Sequence, residues 1–319
     1  MDLLGAEGNA PLIAARAIHF AATTTTAGSL VFGAAVAGPA LRSEGTEAGL
    51  FRAQTLIVAW IGLAIALVSG ATWFLLQAVA ISGLPLGEVM ESGVALTVLN
   101  ETQFGQVSEI RVALAIGLAA CLAGARFAIA GWLALVLVLG LTVTIAWTGH
   151  AGSTLGAWGN LHLIADGLHL IAAAAWIGGL VSLVLLLGGV QRNRTLAWAS
   201  LARVAVKKFS TLGLVSVAIL LVTGALNAWI LVGSFHALAV TEYGRLLMFK
   251  LVAFALMLAF AAINRLWLTP RLALSSGNEL RLDALRQLTR NGIIEIALGF
   301  TIFAVVGMLG TLHPAIHLS

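Results

Sequence analysis

The chain has 319 residues, of which 60% are hydrophobic and only 9% are charged, and its mean hydropathy is +1.03. This composition excludes an ordinary soluble enzyme and indicates a polytopic membrane protein. The net charge of +4 comes from bases spread over short loops, so it carries topological information and does not indicate a nucleic-acid partner. The single cysteine, Cys121, excludes a disulfide framework and a thiolate metal cluster.

Eight apolar segments are long enough to cross a hydrocarbon core of about 30 Å as helices. The predicted spans are 13–36, 53–79, 107–124, 127–147, 160–188, 207–233, 244–264 and 290–312. Backbone that faces lipid must be hydrogen-bonded internally, and no alternating strand pattern is present, so the predicted fold is an all-α membrane protein. Residues 80–106 predict an amphipathic stretch that lies on the outer membrane surface or caps the bundle, and residues 279–286 predict a short charged helix.

The basic residues are distributed unequally between the two sides of the predicted bundle. Thirteen of the 17 lie in or beside one set of connections. By the positive-inside rule that side is cytoplasmic, so both termini are predicted to lie on the outer side. The first segment lacks a basic n-region, which favours a retained helix over a cleaved signal peptide.

Polar residues recur at matching spacings in the two halves of the chain. Thr102-Gln103-Phe104-Gly105 precedes Arg111 at the distance at which Thr241-Glu242-Tyr243-Gly244 precedes Lys250. Further matched pairs are Arg16 with Asp166, His19 with His169, Gly28 with Gly178, Ser69-Gly70 with Thr223-Gly224, and Thr148-Gly149-His150 with Thr311-Leu312-His313. The spacings predict two parallel four-helix repeats, residues 1–159 and 160–319, related by an axis along the membrane normal.

The histidines supply the strongest chemical signal. All seven fall in the predicted outer half, namely His19, His150, His162, His169, His236, His313 and His317. Imidazole is the commonest neutral metal ligand. His19 and His169 are predicted to lie about 9–14 Å below the outer ends of their helices, at 1.5 Å per residue.

An ionisable group at that depth is functional by default, although each histidine could instead hydrogen-bond a neighbouring helix for packing. The repeat favours a shared metal site for His19 and His169 between the two halves. His150, His313 and His317 are predicted to form an outer capture site or to complete the deeper set. His162 and His236 are predicted to be interfacial.

Charged residues near these histidines have open roles. Asp166 shares a helical face with His169 and could accept its ring N–H, as residues that orient metal ligands do. Alternatively, Asp166 could pair with Arg16. Arg111 and Lys250 could bind an anion, counter a carboxylate or snorkel outward.

Two further residues sit deeper in the predicted spans. Trp176 is predicted to lie on the histidine-bearing face of the fifth span. Glu295 is predicted to pair with Arg290 or Arg265, the alternative being an exit ligand or proton carrier.

At these residues the chain resembles the copper resistance protein D family of bacterial inner-membrane proteins. The resemblance is carried by Asp166-Gly167-Leu168-His169 with Trp176-Ile177-Gly178-Gly179, by Phe209-Ser210, Thr223-Gly224, Tyr243-Gly244-Arg245 and Lys250, and by Arg16-x-x-His19 with Gly28. It implies copper transport in the inner membrane, usually uptake from the periplasm, together with a small periplasmic copper-binding protein. Tyr243 joins Arg111 and Lys250 as a candidate for anion binding or gating.

Three functions remain open at this point. The first is a copper permease in which outer histidines capture the ion and His19 and His169 hold it. The second is an oxidoreductase or electron carrier that binds haem b with His19 and His169 as axial ligands. The third is an assembly factor that delivers copper to another protein without transmembrane flux.

Overall fold

The computed structural model describes residues 10–38, 46–154, 156–193, 195–274 and 278–317. These ranges contain eight helices long and apolar enough to cross a membrane, and no strand. The helices are α1 (Ala10–Ala37), α2 (Gly49–Ser82), α3 (Gln103–Ala123), α4 (Ala128–Thr148), α5 (Trp158–Asn193), α6 (Trp198–Val232), α7 (Glu242–Leu272) and α8 (Leu282–Leu309). The prediction of an all-α membrane protein with eight spans is confirmed.

The connections differ from expectation in one place. The charged segment 279–286 is the first part of one continuous helix, Asn278–Leu309, and so the prediction of a separate short helix is wrong. Its Leu, Arg, Glu and Ala residues are good helix formers and no glycine or proline separates it from the apolar span, so the helix continues past the hydrocarbon region.

The amphipathic stretch predicted over residues 80–106 forms two short helices, Leu86–Glu91 and Val94–Glu101. Val89 and Val98 are buried there against Ala78 near the end of α2. This contact packs the stretch onto the bundle.

Helices α1 and α5 form the centre of the bundle. In their most apolar windows 61% and 67% of residues are buried, against 17–44% in the other spans. Gly28 and Gly178 let the two backbones approach closely: a Cβ on Gly178 would lie 2.9 Å from the Cα of Gly28 and closer still to the carbonyl oxygen of Thr24. Small residues at such contacts allow helices to pack tightly in a membrane, where apolar burial alone provides little driving force.

The repeated Thr-x-x-Gly sequence forms the same structure twice. Thr102 and Thr241 cap the starts of α3 and α7, and each side-chain oxygen accepts a hydrogen bond at 3.0 Å from the backbone N–H of Gly105 or Gly244. In both places a glycine is required because a Cβ would meet backbone carbonyl oxygens of the preceding short helix, which is Val94–Glu101 before α3 and Phe235–Val240 before α7. The matching spacing therefore has matching contacts at these two junctions.

We call the end of the bundle at which α1, α3, α5 and α7 begin the histidine end. The first half of the bundle is α1–α4 and the second half is α5–α8.

Candidate functional site

The first-half cluster surrounds His19, which is 4% exposed on α1. Its Nδ1–H donates to the carbonyl oxygen of Ala66 at 2.9 Å, and because a carbonyl can only accept, Nδ1 carries the proton. Nε2 is therefore the acceptor nitrogen, and the guanidinium of Arg111 on α3 donates a hydrogen bond to it. The hydroxyls of Thr23 and Ser69 lie 3.3 Å from the two ring nitrogens. Every polar atom of this ring has a partner in the first half.

The second-half cluster surrounds His169, which is partly buried on α5. The hydroxyl of Thr223 on α6 donates to the carbonyl oxygen of Ile219 at 2.6 Å, so it accepts from the ring Nδ1–H at 2.9 Å. Nε2 of His169 again keeps the lone pair. Among the described residues no donor is hydrogen-bonded to that nitrogen. Lys250 on α7 lies within electrostatic range of the ring, as Arg111 does of His19.

The two rings have separate surroundings. His19 contacts α2 and α3, whereas His169 contacts α6, and neither ring has a hydrogen bond across the α1–α5 contact. On α1 the reason is helical phase: nine residues separate His19 from Gly28, and at 3.6 residues per turn they lie about half a turn apart. The contacts therefore do not bring the two imidazoles together.

The charged side chains of Asp166 and Arg16 have hydrogen-bond partners other than those expected from the sequence. Asp166 accepts a hydrogen bond from the side-chain amide of Asn227 at 3.1 Å, while the ring N–H of His169 is taken by Thr223. Arg16 donates from Nη1 to the carbonyl oxygen of Gly310 at 3.0 Å. The described residues contain no Arg16–Asp166 ion pair, so that expectation is wrong.

Tyr243 also belongs to the second-half cluster around His169. It is 4% exposed and lies within electrostatic range of Asp166. Its ring lies 5.9 Å from the ring of His150, measured between centroids. It therefore stands between the deeper cluster and the histidine end.

The remaining histidines lie closer to that end. Nε2 of His150, in the short helix after α4, is 3.2 Å from the carbonyl oxygen of Leu309 and so connects the two halves. His313 and His236 are exposed, and the side chain of His317 lies outside the described residues. His162, predicted to be interfacial, lies near the start of α5, is 1% exposed, and its Nδ1 hydrogen-bonds the hydroxyl of Thr154 at 2.8 Å.

A third polar cluster lies towards the opposite end of the second half. Glu295 is 2% exposed and accepts a hydrogen bond from Asn264 at 2.7 Å, and Asn264 in turn accepts from Asn291 at 2.9 Å. Arg265 instead bonds Ser210, and the one ion pair among the described residues joins Arg286 and Asp283, so the expected pairing of Glu295 with Arg290 or Arg265 is wrong. Buried Trp176 and Glu295 line a cavity of about 370 Å³ between α5, α6, α7 and α8.

The two histidine clusters differ in which of their buried polar atoms lack a hydrogen-bond partner. Among the described residues four buried side-chain atoms lack a partner, and three belong to these clusters: Arg16 Nε, Trp73 Nε1 and Asn227 Oδ1. In the first half both atoms are donors, and in the second half the atom is an acceptor. Such atoms are rare in folded proteins and mark places where a ligand or water completes the structure. A hydrogen-bond acceptor would therefore complete the first-half cluster, and a donor or a cation would complete the second-half cluster.

Sequence reasoning missed the direct partners of the rings. Ser69 and Thr223 belong to the repeated Ser/Thr-Gly pair, so their spacing was visible, but no pattern connected them to the histidines. Trp73 and Asn227 follow them by four residues each, at one turn along α2 and α6. The described residues contain no group of three or more His, Cys, Asp or Glu side chains that could hold a metal ion.

The fold and these clusters define a polytopic α-helical membrane protein with two buried histidine clusters near one end. The chain matches the family "Copper resistance protein D" over residues 203–309 and "Copper resistance protein D-like, N-terminal domain" over residues 7–160. It is 31% identical to copper resistance protein D of Pseudomonas syringae pv. tomato over 314 residues, which cover 93% of this chain and 96% of that protein. The chain therefore belongs to the copper resistance protein D family, as its motifs indicated.

Two other relatives match parts of the chain. Copper transport protein CutJ of Bacillus subtilis is 34% identical over 201 residues, covering 59% of this chain and 35% of that protein. Inner membrane protein YebZ of Escherichia coli is 29% identical over 172 residues, covering 54% of this chain and 56% of that protein. No solved structure matches the chain. Together these relatives give the protein a copper-related function in a membrane.

Proposed function

We propose that this protein takes up copper through the bacterial inner membrane and that His169 in the second half binds the ion. In this proposal the histidine end and both termini face the periplasm, where a small copper-binding protein delivers the metal. The observation that carries it is the oriented imidazole of His169, whose Nε2 keeps its lone pair without a hydrogen-bond donor among the described residues.

The surroundings of His169 support a cation. Copper binds the unprotonated nitrogen of a neutral imidazole, and the hydrogen bond from Nδ1–H to Thr223 holds the ring in the required tautomer. Asp166 lies one turn earlier on the same helix, and the buried Oδ1 of Asn227 has no donor. The acceptor atoms of these side chains are the hard and borderline ligands that surround divalent metals. Further ligands would come from the copper carrier or from water.

The surroundings of His19 support a different role. Nε2 of His19 accepts from Arg111, so a metal could bind there only after the guanidinium moved and left two positive charges close together. We therefore place copper at His169 and not at a site shared by both histidines.

Residues at the histidine end fit a path towards this cluster. His313 is exposed, and His150 lies beside buried Tyr243 between the surface and the deeper residues. We propose that His150, His313 and His317 capture copper at the surface before it reaches His169. Lys250, within electrostatic range of His169 and Asp166, would oppose the ion and favour its release.

A haem b protein remains the alternative class. Coordination of one haem by His19 and His169 requires both Nε2 atoms to face a common space. The separate ring contacts and the Arg111 hydrogen bond to His19 do not favour this arrangement. A Soret band that tracks with both histidines in the purified protein would favour haem over copper.

The experiment compares two matched variants, His169→Gln and His19→Gln. Copper bound per chain is measured by elemental analysis of the purified proteins, and copper uptake is measured in proteoliposomes. We expect His169→Gln to lose high-affinity copper and uptake, and His19→Gln to keep its copper stoichiometry. Loss in both variants would support a shared ligand, and unchanged binding in His169→Gln would refute the assignment. Binding without uptake into the vesicles would favour delivery to another protein.

A further inference from the structure

A second cavity opens at the histidine end, where the first half meets the end of α8. It has a volume of about 430 Å³, and its wall includes Arg16, Gln77, Gln103, Trp147 and Thr311. Arg16 is the charged side chain among the described residues of this wall, and none of those residues contributes a carboxylate. The cavity is thus polar, lined by residues of both halves, and positive.

Arg16 is buried and has no counter-ion within the described part of the chain. It is 5% exposed, its Nη1 donates to the carbonyl oxygen of Gly310, and its buried Nε has no acceptor among the described residues. The one ion pair in the described part of the chain joins Arg286 and Asp283 on an exposed surface. A buried charge in a membrane protein is costly unless something pairs with it.

The residues around Arg16 add donors and positive charge. The guanidinium carbon of Arg16 lies 5.2 Å from the centre of the Trp73 ring, and that of Arg111 lies 5.1 Å from it. The indole face compensates part of this charge through cation–π attraction. It offers no hydrogen-bond acceptor, however, and its own Nε1 lacks a partner. The two unfilled polar atoms around Arg16, its own Nε and Nε1 of Trp73, are therefore both donors.

We propose that this cavity binds a carboxylate or phosphate group through Arg16. A guanidinium matches such groups because its parallel N–H bonds meet two oxygens at once. Nη1 is held by Gly310, and Nε is the guanidinium nitrogen without an acceptor among the described residues. Gly310 also makes room for Arg16, since a Cβ at that residue would overlap the guanidinium. The position that matches Arg16 in the second half is Asp166, so the charge at this one position has opposite sign in the two halves.

The test uses copper-free protein in phosphatidylcholine nanodiscs, so its outcome does not depend on copper binding at His169. The melting temperature is measured against increasing sodium acetate or sodium phosphate, with ionic strength held constant by chloride. A second arm replaces part of the lipid with phosphatidylglycerol, which separates a free anion from a lipid headgroup. The variant is Arg16→Gln, and the control is Arg245→Gln, an exposed arginine at the same end.

We expect acetate or phosphate to raise the melting temperature of the wild type and of Arg245→Gln. In Arg16→Gln the apparent Kd should weaken by about tenfold or more, the loss of one charge-assisted hydrogen bond. A rise produced by phosphatidylglycerol alone, and lost in Arg16→Gln, supports the same chemistry with a headgroup as its source. No rise under any condition, or an equal rise in Arg16→Gln, overturns the proposal. If Arg16→Gln does not fold, Arg16→Lys is measured in its place. Because an ammonium cannot form the two parallel hydrogen bonds of a guanidinium, an unchanged Kd in Arg16→Lys would overturn the proposal.

Discussion

The guanidinium of Arg111 on α3 donates a hydrogen bond to Nε2 of His19 on α1, the one ring nitrogen that could otherwise bind a metal. In the second half Lys250 occupies the matching position, but no such hydrogen bond to His169 is present. An arginine can reach and cap an imidazole with its planar fork, whereas an ammonium acts as a point charge. One substitution between equivalent positions thus separates a capped histidine from an open one.

Replacing Arg111 with methionine should open the first-half cluster to copper. Methionine keeps much of the length and apolar bulk of arginine but donates no hydrogen bond, so Nε2 of His19 regains its lone pair for a metal. We expect the purified variant to bind an additional copper ion, measured by titration with elemental analysis. The double variant with His19→Gln is the control and should lose the extra ion. A stoichiometry equal to the wild type would argue that Arg111 does not block His19.

Replacing Thr223 with valine should weaken copper binding at His169. The hydroxyl of Thr223 accepts the ring Nδ1–H and so fixes the tautomer, and valine keeps the shape without the acceptor. Loss of such an orienting partner weakens metal affinity by about 10–100-fold. Competition titration with a copper chelator measures the change. Thr301→Val on α8 is the matched control because Thr301 is exposed and bonds its own helix at Ala297. Equal affinities in the two variants would contradict the role given to Thr223.

Replacing Gly178 with alanine should destabilise the contact between α1 and α5. A Cβ there would overlap the carbonyl oxygen of Thr24, and backbone at the centre of the bundle cannot move aside cheaply. Overpacking of this kind costs about 1–3 kcal/mol, which thermal unfolding in detergent would detect as a lower melting temperature. Gly188→Ala in the same helix is the control, since no heavy atom lies within 4 Å of its Cβ position. A melting temperature that falls equally in both variants would show that the close approach is not responsible.

Much of the architecture was predictable because membrane helices satisfy a local condition. Each span must be apolar over about 20 residues, so hydropathy located all eight spans without any knowledge of packing. The ends of the helices were less predictable. For example, α8 lies within the helix Asn278–Leu309, whose charged first turns continue past the apolar segment because nothing in the sequence stops the helix.

The candidate sites were predictable in part. The spacing of the repeat identified His19, His169, Arg111 and Lys250 as corresponding residues, because a duplicated sequence keeps its offsets. The spacing could not give the direction of each ring, which depends on helical phase and on the neighbouring helices. For the same reason it could not show that Thr223 would orient His169 in place of Asp166.

The sequence by itself determined a membrane protein of eight helices, the corresponding histidines and the membership of a copper-related family, because hydropathy and motif spacing are properties of the linear chain. The tertiary structure decided which atoms of those histidines are occupied. It placed Arg111 on His19 and Thr223 on His169, and left Arg16 and Asn227 with unfilled hydrogen bonds. Those partners come from helices distant in sequence, and only packing brings them within hydrogen-bonding distance.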